Sequence, residues 1–256
     1  MDVPANTFKR AIHAGRQQIG LWSSLASHLS VEILAGSGFD WLLIDTEHSP
    51  NELPMVVNQL HAMMEHPQTQ PIVRPPVNDA VILKRYLDAG VQSFLIPMVD
   101  TPAQAAAAVA ATRYPPHGVR GFASASRASR FGRVSDYYAR AHEEICVLVQ
   151  IESKLGLDNL DAIAAVPGVD GVFIGPGDLS AALGHLGGQG DEAIVTLIEE
   201  MIARIGKAGN RAGILTGDAA LARRYIAAGC VFTAVGSDTG ILARGSEALA
   251  RAFRTT

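Results

Sequence analysis

Eight short apolar segments recur along the chain, separated by longer stretches rich in alanine and leucine. None of the eight alternates polar and apolar residues as a half-exposed strand would, so each is typical of a strand covered on both faces in a parallel sheet. The segments begin at Ile19, Trp41, Pro71, Ser93, Cys146, Gly171, Ala212 and Val231. This pattern predicts an α/β fold.

The stretches between these strands have helical patterning. Those beginning at Glu52, Asp79, Thr101 and Ile194 are clear examples, and several open with Asp, Thr or Pro or end with Gly. Eight strand-helix alternations in 256 residues favour one (β/α)₈ TIM barrel, which needs about 250 residues. A doubly wound sheet, with fewer strands and a glycine-rich first turn, fits less well. We therefore predict a single domain spanning residues 1–256.

Composition and charge narrow the class of protein. With 48% hydrophobic and 18% charged residues the chain can bury a large core, and a net charge of −4 is unlike that of a nucleic-acid binder. Cys146 and Cys230 lie in apolar runs and cannot form a disulfide framework. Because no apolar run is long enough for a signal peptide or a membrane span, we expect a soluble, cytoplasmic protein without nucleic-acid or membrane partners.

Two irregular segments, residues 113–138 and 184–190, interrupt the alternation. The first is rich in arginine and the second in glycine. Loops of this length in a compact domain are more often functional than not.

Polar residues follow several predicted strands at the end where barrels carry their active sites. Burying a cluster of unpaired charges there would cost several kcal/mol of folding free energy, so these side chains need a partner of opposite charge. The residues in question are Asp45, Glu47, His48, Arg74, Gln150, Glu152, Asp178 and Asp238.

A divalent cation is one such partner. Glu152 and Asp178 could supply two oxygen ligands and leave other positions to water and a bidentate substrate. No zinc motif is present. Alternatively, each carboxylate could cap a helix or pair with a basic side chain.

Other residues at these strand ends also have two possible interpretations, one catalytic and one structural. His48 could act as a base if Asp45 accepts a hydrogen bond from its ring, or it could be an ordinary loop histidine. Arg74 could stabilise an oxyanion or form an ion pair with a neighbouring carboxylate. Lys154, in a loop among charged groups, is a poor candidate for imine chemistry, which favours metal-assisted chemistry.

Several motifs in this order resemble the HpcH/HpaI aldolases, which include 4-hydroxy-2-oxoheptanedioate and 2-dehydro-3-deoxyglucarate aldolases. The likeness extends from about Phe8 to Phe253. It rests on the segments DWLLIDTEHSPN, PIVRP, LKRYLDAG, ATRYPPHGVRG, CVLVQIES, GVDGVFIGPGDLSAALG, AGILTG and FTAVGSDTGILARG.

The resemblance implies a class II aldolase of the phosphoenolpyruvate/pyruvate barrel type. Its cofactor would be Mg²⁺, Mn²⁺ or Co²⁺, and its last helix would be exchanged between subunits of a hexamer. The resemblance implies that His48 accepts the proton, that Asp45 orients the His48 ring, and that Asp88 of a neighbouring subunit tunes the basicity of His48. Arg74 would stabilise the transition state, and Glu152 and Asp178 would bind the metal. The implied substrate contacts are Gln150, Gly177, Asp178 and Arg74. Leu215 and the loop 123–127 would face the aldehyde.

The implied reaction is reversible aldol addition of a pyruvate or hydroxypyruvate enolate to an aldehyde, which gives a 4-hydroxy-2-oxoacid. Two alternatives stay open at this point. One is a metal-dependent acyl hydrolase or citryl-type lyase on the same barrel, and the other is a 2-oxoacid sensor without catalysis.

Overall fold

Eight parallel strands close into a barrel in the computed structural model, which describes residues 1–254. Each strand pairs with its neighbours in chain order, and β8 pairs with β1. The strands are β1 Gln18–Ser23, β2 Trp41–Asp45, β3 Gln70–Arg74, β4 Ser93–Ile96, β5 Cys146–Ile151, β6 Gly171–Ile174, β7 Ala212–Leu215 and β8 Phe232–Ser237. The predicted TIM barrel is confirmed.

One helix precedes β1, and the others follow the strands on the outside of the barrel. They are α1 Thr7–His13, α2 His28–Ala35, α3 Leu53–Ala62, α4 Ala80–Asp88, α5 Pro102–Ala111, α6 Tyr137–Arg140, α7 Lys154–Asp158, α8 Leu160–Ala164, α9 Pro176–Ala182, α10 Glu192–Lys207, α11 Ala219–Ala227 and α12 Asp238–Ala252. Short 3₁₀ turns lie at Met63–Glu65, Arg127–Ser129 and Ala141–Glu144.

Local sequence explains where these helices begin. The Asp79 carboxylate accepts hydrogen bonds from the amides of Val81 and Ile82 and so caps α4. Thr101 and Gln104 form a reciprocal capping box at the start of α5.

Aromatic side chains fill the barrel and close one end of it. Trp41 and Phe232, the first residues of β2 and β8, each pack edge-on against Phe8 of α1 with ring centroids 5.9 Å apart. Helix α1 therefore covers the amino-terminal end of the barrel. The interior of the barrel is therefore closed at this end, and the predicted site lies at the other, at the carboxyl ends of the strands.

Two local predictions were wrong. The apolar run from Ser93 continues to Val99, but β4 ends at Ile96, because Pro97 follows and Met98 adopts a left-handed backbone with φ of 51°. Lys154 does not lie in a loop but is the first residue of α7.

The last helix of the barrel has little contact with the rest of the chain. Only Asp238 of α12 is buried, whereas Ile241, Leu242 and Leu249 are 55%, 60% and 65% exposed.

No helix within residues 1–254 is long and apolar enough to cross a membrane.

Candidate active site

A cavity of about 380 Å³ opens at the carboxyl ends of the strands. Five residues predicted for the site line it, namely Arg74, Gln150, Gly177, Asp178 and Leu215. Asp45 and Glu152 lie just behind this lining, because Asp45 contacts Arg74 and Glu152 contacts Gln150. The topology thus brings most of the predicted residues together.

Arg74, the last residue of β3, is held by two carboxylates. Its Nε and Nη2 donate to the two oxygens of Asp45 at 2.9 and 2.6 Å, and Nη1 lies 3.0 Å from Glu47 Oε2. A guanidinium has five N–H groups, and within residues 1–254 two of them form hydrogen bonds, both to Asp45. The contact with Glu47 is an ion pair without hydrogen-bond geometry. Arg74 therefore forms the predicted ion pair with neighbouring carboxylates and still presents N–H donors at the cavity.

The environment of Asp45 keeps it ionised. Burial raises its pKa, but the hydrogen bonds and charge of Arg74, the backbone amide of Glu47 and the indole of Trp22 outweigh burial, and the pKa of Asp45 falls below its ordinary value. A buried, ionised Asp45 in turn holds the guanidinium in one orientation.

The predicted hydrogen bond between Asp45 and the ring of His48 is not formed. Asp45 accepts instead from the backbone amides of Glu47 and His48, at 3.1 and 3.5 Å, because Arg74 and Trp22 occupy its remaining lone pairs. The imidazole of His48 is 65% exposed, and its Nε2 lies 3.8 Å from Glu47 Oε2. Asp45 thus positions the backbone of His48 but not its ring.

Glu152, directly after β5, is a buried carboxylate, and no basic side chain among residues 1–254 forms an ion pair with it. Its Oε1 accepts from the Met98 amide at 2.8 Å and its Oε2 from Gln150 Nε2 at 2.5 Å. Burial, helped by the charges of Glu47 and Asp178 and opposed by the Met98 amide and Arg74, raises the pKa of Glu152 to about 7. Burial likewise raises the pKa of Glu47.

Gly175 lets the β6–α9 turn approach this carboxylate. A Cβ at position 175 would lie 2.8 Å from Glu152 Cβ and Oε2 and 2.9 Å from Gln150 Nε2. The turn then carries Asp178, in the first turn of α9, to the cavity. Within residues 1–254 the Asp178 side chain has no hydrogen bond or ion pair, so neither the cap nor the ion pair that was the alternative is formed.

These oxygen donors fit a divalent cation. The charge of Asp178 helps to raise the pKa of Glu152, and the buried Oε1 of Gln150 has no hydrogen-bond partner among residues 1–254. A hard cation with few protein ligands suits such a set. Among residues 1–254 no group of three or more His, Cys, Asp or Glu side chains is placed so that it could hold an ion.

Two predicted parts of the site lie elsewhere in this chain. Asp88, at the end of α4, pairs with the buried guanidinium of Arg120 at 2.9 Å and does not line the cavity. Arg127 of the loop 123–127 donates to the Ala89 carbonyl at 2.7 Å and lines a different cavity, with Gly90 and Val91. Within one chain this loop therefore does not face the site.

Asp238 has a structural role. Its carboxylate accepts from the Ser24 and Leu25 amides at 2.9 to 3.0 Å and from the Ser23 hydroxyl at 3.1 Å. It ties the start of α12 to the end of β1, which explains its burial without a cation.

Sequence reasoning missed Trp22 and Met98. Trp22 looked like one more apolar residue of β1, but it lines the cavity and its indole N–H donates to Asp45 Oδ2 at 3.2 Å. Met98 is a non-glycine residue in the left-handed region, which costs about 1 kcal/mol, and its amide binds Glu152. The proline before it was the only signal in the sequence.

The sequence is similar to proteins of known family. The profile described as HpcH/HpaI aldolase/citrate lyase matches residues 18–245. A protein named hydroxypyruvate/pyruvate aldolase from Deinococcus radiodurans is 57% identical over 99% of this chain and 92% of its own length. One named 4-hydroxy-2-oxo-heptane-1,7-dioate aldolase from Klebsiella pneumoniae is 54% identical over 97% of this chain and 94% of its own.

The fold is also similar to solved structures. An HpcH/HpaI aldolase/citrate lyase family protein from Burkholderia cenocepacia superposes with a TM-score of 0.94 and 40% identity, over 98% of this chain and all of that one. An HpcH/HpaI aldolase from Desulfitobacterium hafniense superposes with a TM-score of 0.88 and 25% identity, over 97% of this chain and 96% of that one.

Proposed function

Because this chain belongs to the HpcH/HpaI aldolase/citrate lyase family, it is an aldolase, and we propose that it adds the enolate of pyruvate or hydroxypyruvate to an aldehyde and cleaves the resulting 4-hydroxy-2-oxoacid. The observation that carries this proposal is the cavity lined by Arg74, an arginine with free donors, with the buried carboxylate of Glu152 directly behind Gln150 of the lining. The names of the relatives from Deinococcus and Klebsiella support the substrate class.

The cofactor we propose is a divalent cation held by Glu152 and Asp178. Mg²⁺, Mn²⁺ and Co²⁺ all accept carboxylate and water ligands. When bound, such a cation supplies Lewis acidity toward the oxygens of a 2-oxoacid. Gln150, whose Oε1 is buried without a partner, and the exposed backbone of Gly177 would contact the same substrate.

Arg74 would stabilise the negative charge that develops when C3 loses its proton. Its Asp45 pair holds it in place before substrate arrives, so little reorganisation is needed as charge develops. Leu215, at the apolar side of the cavity, would contact the aldehyde.

His48 would accept the proton from C3. Its ring is 65% exposed beside Glu47, so it can exchange that proton with water. Asp88 would assist His48 from a neighbouring subunit, since within its own chain it lies away from the cavity. This part of the proposal requires a homo-oligomer, which we propose to be a hexamer with α12 exchanged between subunits.

Product analysis tests the reaction class. Metal-loaded protein is mixed with pyruvate and a short aldehyde, and the reverse reaction is followed by coupling released pyruvate to lactate dehydrogenase. We expect a 4-hydroxy-2-oxoacid in one direction and pyruvate in the other. Release of an acid without any ketone would instead indicate a hydrolase, and binding of pyruvate without turnover would indicate a sensor.

A further inference from the structure

Trp22 connects the barrel wall to the groups that hold Arg74. It is the residue before last of β1 and is only 5% exposed. Its indole N–H donates to Asp45 Oδ2 at 3.2 Å, and the Arg74 Cζ lies 5.0 Å from the centre of its ring. The same ring packs against Phe173 of β6 with centroids 5.6 Å apart, which restrains it from the far side.

With the Trp22 hydrogen bond, each oxygen of the Asp45 carboxylate accepts at least two hydrogen bonds. Oδ2 of Asp45 accepts from Arg74 Nη2 and from Trp22, while Oδ1 accepts from Arg74 Nε and the Glu47 amide. The indole lies over the guanidinium of Arg74, and a cation on an aromatic face is itself stabilised. Loss of the N–H would leave one lone pair of a buried carboxylate unpaired.

We propose that Trp22 is a positioning residue, which orients the free N–H donors of Arg74 toward the charge that develops on the substrate. This inference rests on the proposed function, because Arg74 acts there on the enolate. Trp22 contributes through Asp45 and Arg74 and not by filling the cavity. Two consequences follow: its effect should require Arg74, and it should be larger for a ligand that already carries the enolate's charge.

Binding of oxalate and of pyruvate can be compared to test whether Trp22 matters more for a ligand that carries the charge of the enolate. Oxalate is a planar dianion with a negative oxygen where the pyruvate enolate has one, whereas ground-state pyruvate has a neutral ketone there. In Mg²⁺-loaded Trp22→Phe, isothermal titration calorimetry should show oxalate affinity about tenfold lower, as expected for the loss of a hydrogen bond to a charged group. Pyruvate affinity should change less than twofold. Equal weakening of both ligands, or of neither, would overturn the proposal.

Dependence on Arg74 is tested with a double-mutant cycle. In an Arg74→Met background, Trp22→Phe should cause no further loss of oxalate affinity, and additive losses would contradict action through Arg74. Trp41→Phe is the matched control, because its indole N–H donates to the Gln18 carbonyl at the closed end of the barrel. It should leave the ratio of oxalate to pyruvate affinity unchanged.

A second replacement separates the N–H from packing and guards against a misfolded variant. At position 22, 3-benzothienylalanine keeps the size of the indole but has sulfur in place of N–H. It should reproduce the selective loss of oxalate affinity with an unchanged melting temperature; retention of full oxalate affinity would overturn the role of the N–H. Because these readouts are binding constants, a failure of aldol turnover in the wild-type protein would refute the proposed function without deciding this inference.

Discussion

Glu152 is a carboxylate whose negative charge the chain itself compensates poorly. Two N–H donors reach it, but burial and two neighbouring carboxylates raise its pKa to about 7. Because this folded-state pKa is above the ordinary value of 4.5, the native state binds more protons than the unfolded chain between these values. Stability is therefore lost as pH rises through this window, unless a cation compensates the charge.

Glu152→Gln should stabilise the protein when divalent cations are removed. In EDTA, the variant should melt at a higher temperature than the wild type at pH 8, and the difference should shrink at pH 5, where wild-type Glu152 is mostly protonated. Added Mg²⁺ should raise the melting temperature of the wild type at pH 8 and not that of the variant. A variant that melts lower than wild type in EDTA at pH 8 would contradict the uncompensated charge.

Arg74→Lys should lower turnover far more than it lowers pyruvate binding. A lysine ammonium cannot make the two-point contact with Asp45 and also present the remaining donors of a guanidinium. Loss of one preorganised donor typically costs about 10² to 10³ in kcat, measured here with the lactate dehydrogenase coupled assay. Arg204→Lys, in an exposed pair with Asp161, is the control and should keep wild-type kcat. A reduction confined to KM would argue against a role in the transition state.

The order of polar residues after each strand was enough to predict that Arg74, Gln150 and Asp178 line one cavity. It did not distinguish them from Asp238, which has a structural role, and it did not predict which side chains bond to one another. Asp45 has one carboxylate and several candidate donors, and the choice depends on side-chain reach across β1, β2 and β3. Arg74 and Trp22 reach it, and the ring of His48 does not. Nothing in the spacing of Asp45 and His48 distinguishes a bond to the ring from a bond to the backbone amide.

At the scale of elements, the β6–α9 turn determines whether Glu152 and Asp178 can act together. It passes so close to Glu152 that only glycine fits at position 175. Such a close approach depends on how two neighbouring strands end, so the sequence alone does not give the distance of this turn from β5.

Gly175→Ala should therefore disable the site while leaving the barrel folded. The added Cβ would displace Glu152 and Gln150, so Mn²⁺ affinity, measured by electron paramagnetic resonance, should fall by about tenfold or more with far-ultraviolet circular dichroism unchanged. Gly206→Ala in α10, where a Cβ meets nothing within 4 Å, is the control. Wild-type Mn²⁺ affinity in Gly175→Ala would show that the close approach has no role in cation binding.

Strands and helices were predictable because buried parallel strands have continuous apolar runs and helix starts carry capping residues. The exceptions are informative. β4 stops at Ile96 inside an apolar run, because Met98 takes a left-handed backbone that brings its amide to Glu152. Hydrophobicity does not report such strain, which is common where backbone serves a site.

At the scale of the whole molecule, α12 leaves apolar surface uncovered. Ile241, Leu242, Leu249 and Phe253 are all more than half exposed, and so are Leu29 and Ile33 of α2. Apolar patches of this kind mark interaction surfaces. They support the proposal that α12 packs against another copy of the chain, an arrangement that no analysis of one chain's periodicity can supply.

Leu242→Glu should weaken assembly, because a charge buried against an apolar partner surface is unfavourable. Size-exclusion chromatography with light scattering should give a smaller mass than for the wild type. Leu186→Glu, at a position 88% exposed in the loop 184–190, should leave the mass unchanged. An unchanged mass for Leu242→Glu would place the interface elsewhere.

The central claim is that this site removes a proton from C3 of pyruvate with the help of a cation held by Glu152 and Asp178. Proton nuclear magnetic resonance of pyruvate in deuterium oxide tests it without any aldehyde. The wild-type protein refilled with Mg²⁺ or Mn²⁺ should replace the methyl protons with deuterium, whereas EDTA-treated protein and the Asp178→Asn variant should not. Exchange that continues at the wild-type rate in EDTA or in Asp178→Asn, or no exchange by the refilled wild type, would contradict the claim.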